Sequence, residues 1–134
     1  MKKIRQLRVI ICGSRELSDI RYIIRCMNYL RQFVSFGKEN ITIITGGAKG
    51  VDTIANALAM KYGYNTEVYE ADWEKDKKSA GVIRNQKMLD TGINIVLALF
   101  DATRTSGTGD MADRARAAGV ETVEFYKEQI GDKV

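Results

Sequence analysis

Apolar residues follow two alternating patterns along the chain. Leu7-Arg8-Val9-Ile10-Ile11-Cys12 is a short apolar run ending at Gly13, which suits a strand buried on both faces. After the capping pair Ser18-Asp19, Ile20, Ile23, Ile24, Met27, Leu30 and Val34 recur every three or four positions. That spacing predicts one helix with a single apolar stripe. Ile41-Thr42-Ile43-Ile44-Thr45 is β-branched throughout and predicts a second strand. Val51, Ile54, Ala55, Leu58 and Tyr62 form the face of a second helix, stopped by Gly63. Thr66 to Glu70 alternates as a third strand would. A polar stretch, Ala71 to Ser79, precedes a helical segment over about Ala80 to Thr91, with Gly92 as its C-cap. Ile93 to Phe100 predicts a fourth buried strand, and Asp101 to Gly107 a loop rich in Thr and Ser. A last helix over about Thr108 to Ala118 and a strand over Val120 to Tyr126 complete the pattern. The charged tail after about Lys127 is expected to fray.

Strand and helix thus alternate five times. This predicts an α/β fold: a Rossmann-like three-layer domain with a mainly parallel five-stranded sheet, order 3-2-1-4-5. The 134 residues amount to one domain, 1–134, large enough to bury a core without disulfide or metal staples. No repeat or linker interrupts it.

Composition narrows the chemistry. Apolar residues at 45% and charged residues at 28% describe an ordinary globular chain. No apolar stretch approaches the roughly 20 residues of a membrane helix, and the basic start lacks the apolar run of a signal peptide, so a cytoplasmic protein with no membrane partner is expected. Cys12 and Cys26 fall in apolar surroundings and read as buried free thiols. With no histidine, histidine metal sites and His-based triads are excluded, and any general acid or base must be a carboxylate, Lys, Tyr or Cys. The net charge of +4 fits an anionic ligand. Basic residues gather in the first eight positions and between Lys75 and Lys87. They do not alternate with aromatic residues as in a single-strand groove, which weighs against nucleic acid. The chain has no proline, so no cis-proline turn shapes a site.

In an open parallel sheet, ligands bind beyond the carboxyl ends of the strands, at the switch point of strand order. For order 3-2-1-4-5 that point lies between strands one and four. The segments arriving there are Gly13-Ser14-Arg15-Glu16, Gly46-Gly47-Ala48-Lys49-Gly50-Val51-Asp52 and Asp101 to Thr108. Glycines permit close backbone approach. Successive amides at a helix N-terminus bind anions. Ser14, Thr45, Ser106 and Thr108 add hydroxyls, and Arg15 and Lys49 add charge. Neither a Walker loop nor a dinucleotide fingerprint occurs, and no motif calls for a cofactor or a metal. Asp72-Trp73 offers a ring that either stacks on a ligand or covers the sheet edge. Asp110, near the start of the last helix, either caps that helix or works in the crevice.

These segments resemble, in order, those of the YspA-like proteins of the SLOG superfamily, which also holds the LOG-type phosphoribohydrolases and the DprA/Smf DNA-processing proteins. The resemblance rests on Gly13-Ser14-Arg15, Gly46 to Asp52, Ala71-Asp72-Trp73, Ala80 to Leu89 and Gly107-Thr108-Gly109-Asp110-Met111. It implies a Rossmann-like fold, a nucleotide-derived ligand and a homodimer or higher homo-oligomer. In the LOG-type pattern Arg84 takes the place of the Arg in an RKxxM-like helix, and Asp110 that of a Glu after a PGGxGT loop. Thr103-Arg104-Thr105-Ser106 replaces the PGG portion, and Asp is one methylene shorter than Glu.

Three functions follow from this. The first is a sensor or sequestering protein for a phosphorylated nucleotide-derived molecule, a nucleoside monophosphate or an ADP-ribose-like compound. Gly46, Gly47, Gly107 and Thr108 would hold phosphate with Arg15 and Lys49, while Gly13, Ser14, Asp52, Asp72, Trp73 and Asn85 would line the site. The second is a nucleotide N-glycoside hydrolase with Arg84 and Asp110 as catalytic residues and Glu16 as a further carboxylate. The third is single-stranded DNA binding, as in the DprA relatives.

Overall fold

The computed structural model describes residues 6–127. The expected fraying after Lys127, and most of the basic start, lie outside them. Five parallel strands form one sheet in the order β3-β2-β1-β4-β5, with β1 Leu7–Gly13, β2 Ile41–Thr45, β3 Asn65–Val68, β4 Ile95–Phe100 and β5 Glu121–Tyr126. The helices are α1 Ile20–Met27, α2 Val51–Lys61, the single turn α3 Trp73–Asp76, α4 Ala80–Asp90 and α5 Ser106–Ala117. Parallel pairing requires a crossover between strands, and the helices supply it.

The two-residue period of the strands divides the core. Leu7, Val9, Ile11, Ile41, Ile43, Ile95, Leu97 and Leu99 face α1 and α2, which contribute Tyr22, Ile23, Val51 and Ala55. Ile10, Cys12, Ile44, Val96, Ala98 and Phe100 face the other way, onto Met88 and Leu89 of α4 and Met111, Ala112 and Ala115 of α5. Both faces of β1 and β4 are therefore covered, which is why these strands read as continuous apolar runs. The register sets β1 beside β4 from Val9 opposite Ile95 to Gly13 opposite Leu99. The two strands end level, one on each side of the switch point.

Several boundaries differ from expectation. The stripe from Ile20 to Val34 is not one α-helix. It is α-helical to Met27 and continues as a 3₁₀ run over Asn28–Phe36. Ile20 and Val34, the ends of the stripe, stay exposed, so packing does not enforce α geometry along its whole length. The third strand begins one residue earlier than expected and ends at Val68, although the Tyr69 amide still bonds the Thr45 carbonyl (2.9 Å). The polar stretch after Ala71 contains α3 and a short 3₁₀ turn. The last helix starts at Ser106, two residues early, which places Gly107 and Thr108 in its first turn.

Both cysteines are buried and free. Burial raises both thiols, Cys26 to about 12, so neither presents a thiolate nucleophile at neutral pH. No helix among the described residues is long and apolar enough to cross a membrane.

Candidate functional site

At the switch point the chain leaves β1 toward one face of the sheet and leaves β4 toward the other, and a cleft of about 670 Å³ opens between the departures. Its walls are the turn after β1, the turn after β2, the first half of α4 and the head of α5. Of the residues singled out from the sequence, Gly13, Ser14, Arg15, Glu16, Gly46 and Asp52 line it from the first two turns. Trp73, Arg84, Asn85, Gly107, Thr108 and Asp110 line it from the other side.

Gly47, Lys49 and Asp72 are not part of that lining. Gly47 has a φ of +74°, and a Cβ there would sit 2.7 Å from Glu70 Cγ, so its backbone packs against the end of β3. Lys49 is exposed, outside the cleft. Asp72 is taken up locally: its carboxylate accepts from the Lys75 amide (3.1 Å) and caps α3.

Asp52 organises the β2 turn. It is 4% exposed, and its Oδ2 accepts from the amides of Gly46 (3.2 Å) and Ala48 (3.3 Å). Burial pushes its pKa up to about 6, against the lowering effect of those amides, the Gly13 amide and the Arg84 charge. Its Oδ1 is buried without a hydrogen-bond partner. Of the amides expected to hold an external phosphate, that of Gly46 is thus occupied by an internal carboxylate, together with the neighbouring Ala48 amide.

Arg84 crosses the floor of the cleft. Its Nη1 donates to the Gly46 carbonyl and its Nε to Asn85 Oδ1 (3.1 Å). A Cβ at Gly46 would lie 2.6 Å from Arg84 Cζ, so only glycine leaves the guanidinium its place. Asn85 is buried and carries the network on, its Nδ2 donating to Asp110 Oδ2 (3.0 Å) and to the Gly107 carbonyl (3.4 Å). Arg114 Nε donates to both oxygens of Asp110 (3.0 and 2.8 Å), and Arg114 Nη1 donates to Gln86 (3.1 Å). One chain of hydrogen bonds therefore fixes the β2 turn, α4 and α5 relative to each other. Such fixing reduces the reorganisation a ligand must drive.

The head of α5 is built differently. Thr105 precedes the helix in extended conformation and makes no side-chain capping bond. Its Oγ1 is buried and unpartnered. The first intrahelical bond runs from the Gly109 amide to the Thr105 carbonyl (2.8 Å). The amides of Ser106, Gly107 and Thr108 precede it and have no partner within the helix. A Cβ at Gly107 would meet nothing within 4 Å. Free amides and the positive end of the helix dipole thus open onto the cleft.

The lining also carries three cations. Arg15, Lys78 and Arg84 border the cleft, and none makes an ion pair among the described residues. Arg15 lies over the Trp73 ring, its guanidinium carbon 5.1 Å from the centroid. Lys78, Gly81, Thr105 and Ser106 belong to the lining as well. Ser106 is among the hydroxyls expected there, and Gly81 lies in the Ala80 to Leu89 motif. For Thr105 the signal was present, since a Thr-Ser pair before a helical segment is a capping signature. For Lys78 nothing in the local pattern marks a site.

Residues 7–75 match the family described as YAcAr: YspA, cpYpsA-related SLOG family. The gene 61 protein of Mycobacterium phage D29 is 34% identical over 131 residues, covering 94% of this chain and 98% of that one. The crystal structure of DNA processing protein A (DprA) from Streptococcus pneumoniae superposes with a TM-score of 0.68 at 18% identity. That superposition covers 90% of this chain and 50% of that one, a likeness of fold. The family match takes in β1, β2 and the Asp52 turn, the phage relative extends the similarity over the remaining walls of the cleft, and the chain belongs to the YspA, cpYpsA-related SLOG family.

Proposed function

We propose that the cleft binds a phosphorylated, nucleotide-derived small molecule, a nucleoside monophosphate or an ADP-ribose-like compound, and that the protein senses or sequesters it. One observation carries this reading: an uncapped helix head, open at Gly107, faces a cleft whose Arg15, Lys78 and Arg84 have no ion-pair partners among the described residues. A phosphate at that helix head would meet free amides, the dipole and unpaired cations together. The amides of Gly46 and Ala48 take no part, because Asp52 holds them.

The experiment is a thermal-shift titration with AMP, ADP-ribose and ribose 5-phosphate, with free base measured in parallel. A saturable rise in melting temperature supports the reading, and the absence of any rise for all three refutes it.

A second reading, N-glycoside hydrolysis, draws on Asp110, which lines the cleft beside the helix head. Both of its oxygens already accept hydrogen bonds. It would therefore act as a fixed negative charge next to developing oxocarbenium character at the sugar. Release of free base, abolished by Asp110→Asn, supports this reading, and binding without release removes it. The fold shared with a DNA processing protein keeps single-stranded DNA among the ligands to test. A salt-dependent gel shift would detect it.

A further inference from the structure

Beside the helix head stands the Trp73 ring, covered by Arg15, and phosphate binding does not use that ring. Trp73 is 49% exposed although it is the chain's one tryptophan and lines the cleft. It opens α3 and lies against the start of α4. A Cβ on Gly81 would lie 3.7 Å from its Cη2, so the ring edge rests close to the α4 backbone. Arg15 covers the ring at 5.1 Å and has no ion-pair partner among the described residues.

The backbone beneath Arg15 is fixed. The Ser14 carbonyl accepts from the amides of Leu17 (3.3 Å) and Val51 (3.4 Å). A Cβ at Gly50 would sit 2.5 Å from the Ser14 carbonyl oxygen and 2.6 Å from that of Arg15. The loop cannot shift toward α2, and the side chain of Arg15 is the part that can move.

We infer that the Trp73 ring is a stacking platform for the base of the ligand, and that Arg15 occupies it in the free protein and is exchanged for the base on binding. This deepens the nucleotide reading and rests on it. Two stacked contacts need about 3.5–4 Å each. The 5.1 Å between guanidinium and ring therefore cannot admit a planar base between them. A base reaches the ring only by taking the place of Arg15. The exchange is favourable in kind, because base–aromatic stacking is the stronger contact and an exposed cation–π pair the weaker. The displaced guanidinium remains on the cleft wall, unpaired, where the ligand's own phosphate is the available anion. Platform and helix head then recognise the two ends of one molecule.

The sole tryptophan provides the readout. Trp73 emission is excited at the red edge of its absorption, where adenine is transparent, and followed while AMP or ribose 5-phosphate is added. Melting temperatures are recorded on the same samples. AMP is expected to raise the melting temperature and change the emission. Ribose 5-phosphate is expected to raise the melting temperature with no change in emission. Trp73→Ala should weaken AMP about tenfold and leave ribose 5-phosphate unchanged, whereas Trp73→Phe should keep most of the AMP affinity. Arg15→Ala should shift Trp73 emission in the free protein and reduce the further change that AMP produces. AMP binding with no response from Trp73, or equal loss of both ligands in Trp73→Ala, overturns the platform and leaves phosphate binding standing. Failure of both compounds to raise the melting temperature overturns the platform, and failure of ADP-ribose as well overturns the nucleotide reading with it.

Discussion

The chain passes from strand to helix through glycine-rich sequence twice, after β2 (Gly46-Gly47-Ala48-Lys49-Gly50) and at the head of α5 (Ser106-Gly107-Thr108-Gly109), and the two segments use their glycines in opposite ways. In the β2 turn the missing side chains make room for the protein itself. A Cβ at Gly46 would meet Arg84 and Asp52, and one at Gly50 would meet the backbone of Ser14 and Arg15. Its amides at Gly46 and Ala48 are bound by Asp52. The α5 head is tight at Gly109, where a Cβ would lie 2.8 Å from Arg104 Nη1, yet vacant at Gly107. It carries no capping side chain. The first segment is an anion site filled by the chain's own carboxylate, and the second is the one we propose a ligand fills. Glycine content alone does not distinguish them. What a Cβ would touch does.

The sharpest way to break the comparison is Gly50→Ala. Gly50 has φ +76° and ψ −128°, a region other residues rarely enter, and the added methyl would press on two carbonyl oxygens. Strain and overpacking together should cost roughly 3 kcal/mol or more, read as a lowered urea midpoint. An unchanged midpoint would mean that the turn is not closed on the loop after β1.

Asp52 gives the next largest effect, one of pH. Its folded pKa of about 6 lies above the ordinary aspartate value of 3.8, so between those values the folded state binds the extra proton. Stability from this group is then present at low pH and is lost as pH rises through about 6. Lowering pH from about 7 to about 5 should stabilise the protein by roughly 1–2 kcal/mol. Glu67 and Glu124 are shifted the other way, Glu124 to about 2 because the hydrogen bonds of Arg104, Arg116 and Tyr126 outweigh its burial. Their contributions are lost only at more acid pH. Asp52→Asn keeps an acceptor for the two amides and should flatten the profile between about 7 and 5. A wild-type protein whose stability falls over that interval contradicts the assignment.

Gly46→Ala tests how the closed turn serves the site. Its methyl would press on the Arg84 guanidinium and the buried Asp52 carboxylate, and not on backbone. Stability should fall by roughly 1–2 kcal/mol, less than in Gly50→Ala, while AMP weakens by about tenfold as the Arg84 contact is misplaced. Equal AMP affinity in variant and wild type would remove Arg84 from the binding floor.

Much of this was legible in the sequence, for reasons that differ by element. β1 and β4 are buried on both faces, so their apolar runs were readable from pattern, and the crossover rules admit the observed order 3-2-1-4-5 without fixing it. The stripe from Ile20 to Val34 misled because a three-to-four-residue spacing fits α and 3₁₀ geometry alike, and only packing decides between them. Local capping was readable for Asp52, whose place six residues after Gly46 lets it turn back on its own loop. The sequence could not show that this use pre-empts a ligand, because that depends on which amide hydrogens remain free in space. Gly47, Lys49 and Asp72 share motifs with the cleft residues but point elsewhere. Motif membership places a residue near a site, and the direction of its side chain or, for Gly47, its backbone decides whether it enters.

Gly107→Ala carries the smallest effect on the fold and the clearest sign. In the β2 turn an added methyl must move protein atoms, whereas at Gly107 it would enter open space. Within a helix, alanine is favoured over glycine by roughly 0.5–1 kcal/mol, so the variant should melt slightly higher than the wild type. The same methyl would stand where the helix head opens onto the cleft, and AMP and ribose 5-phosphate should both bind more weakly. Stability and affinity would then move in opposite directions at one position, the behaviour expected of a glycine kept for a ligand. Lower stability with unchanged affinity would show that Gly107, like Gly50, makes room only for the protein, and that the two segments do not differ as described.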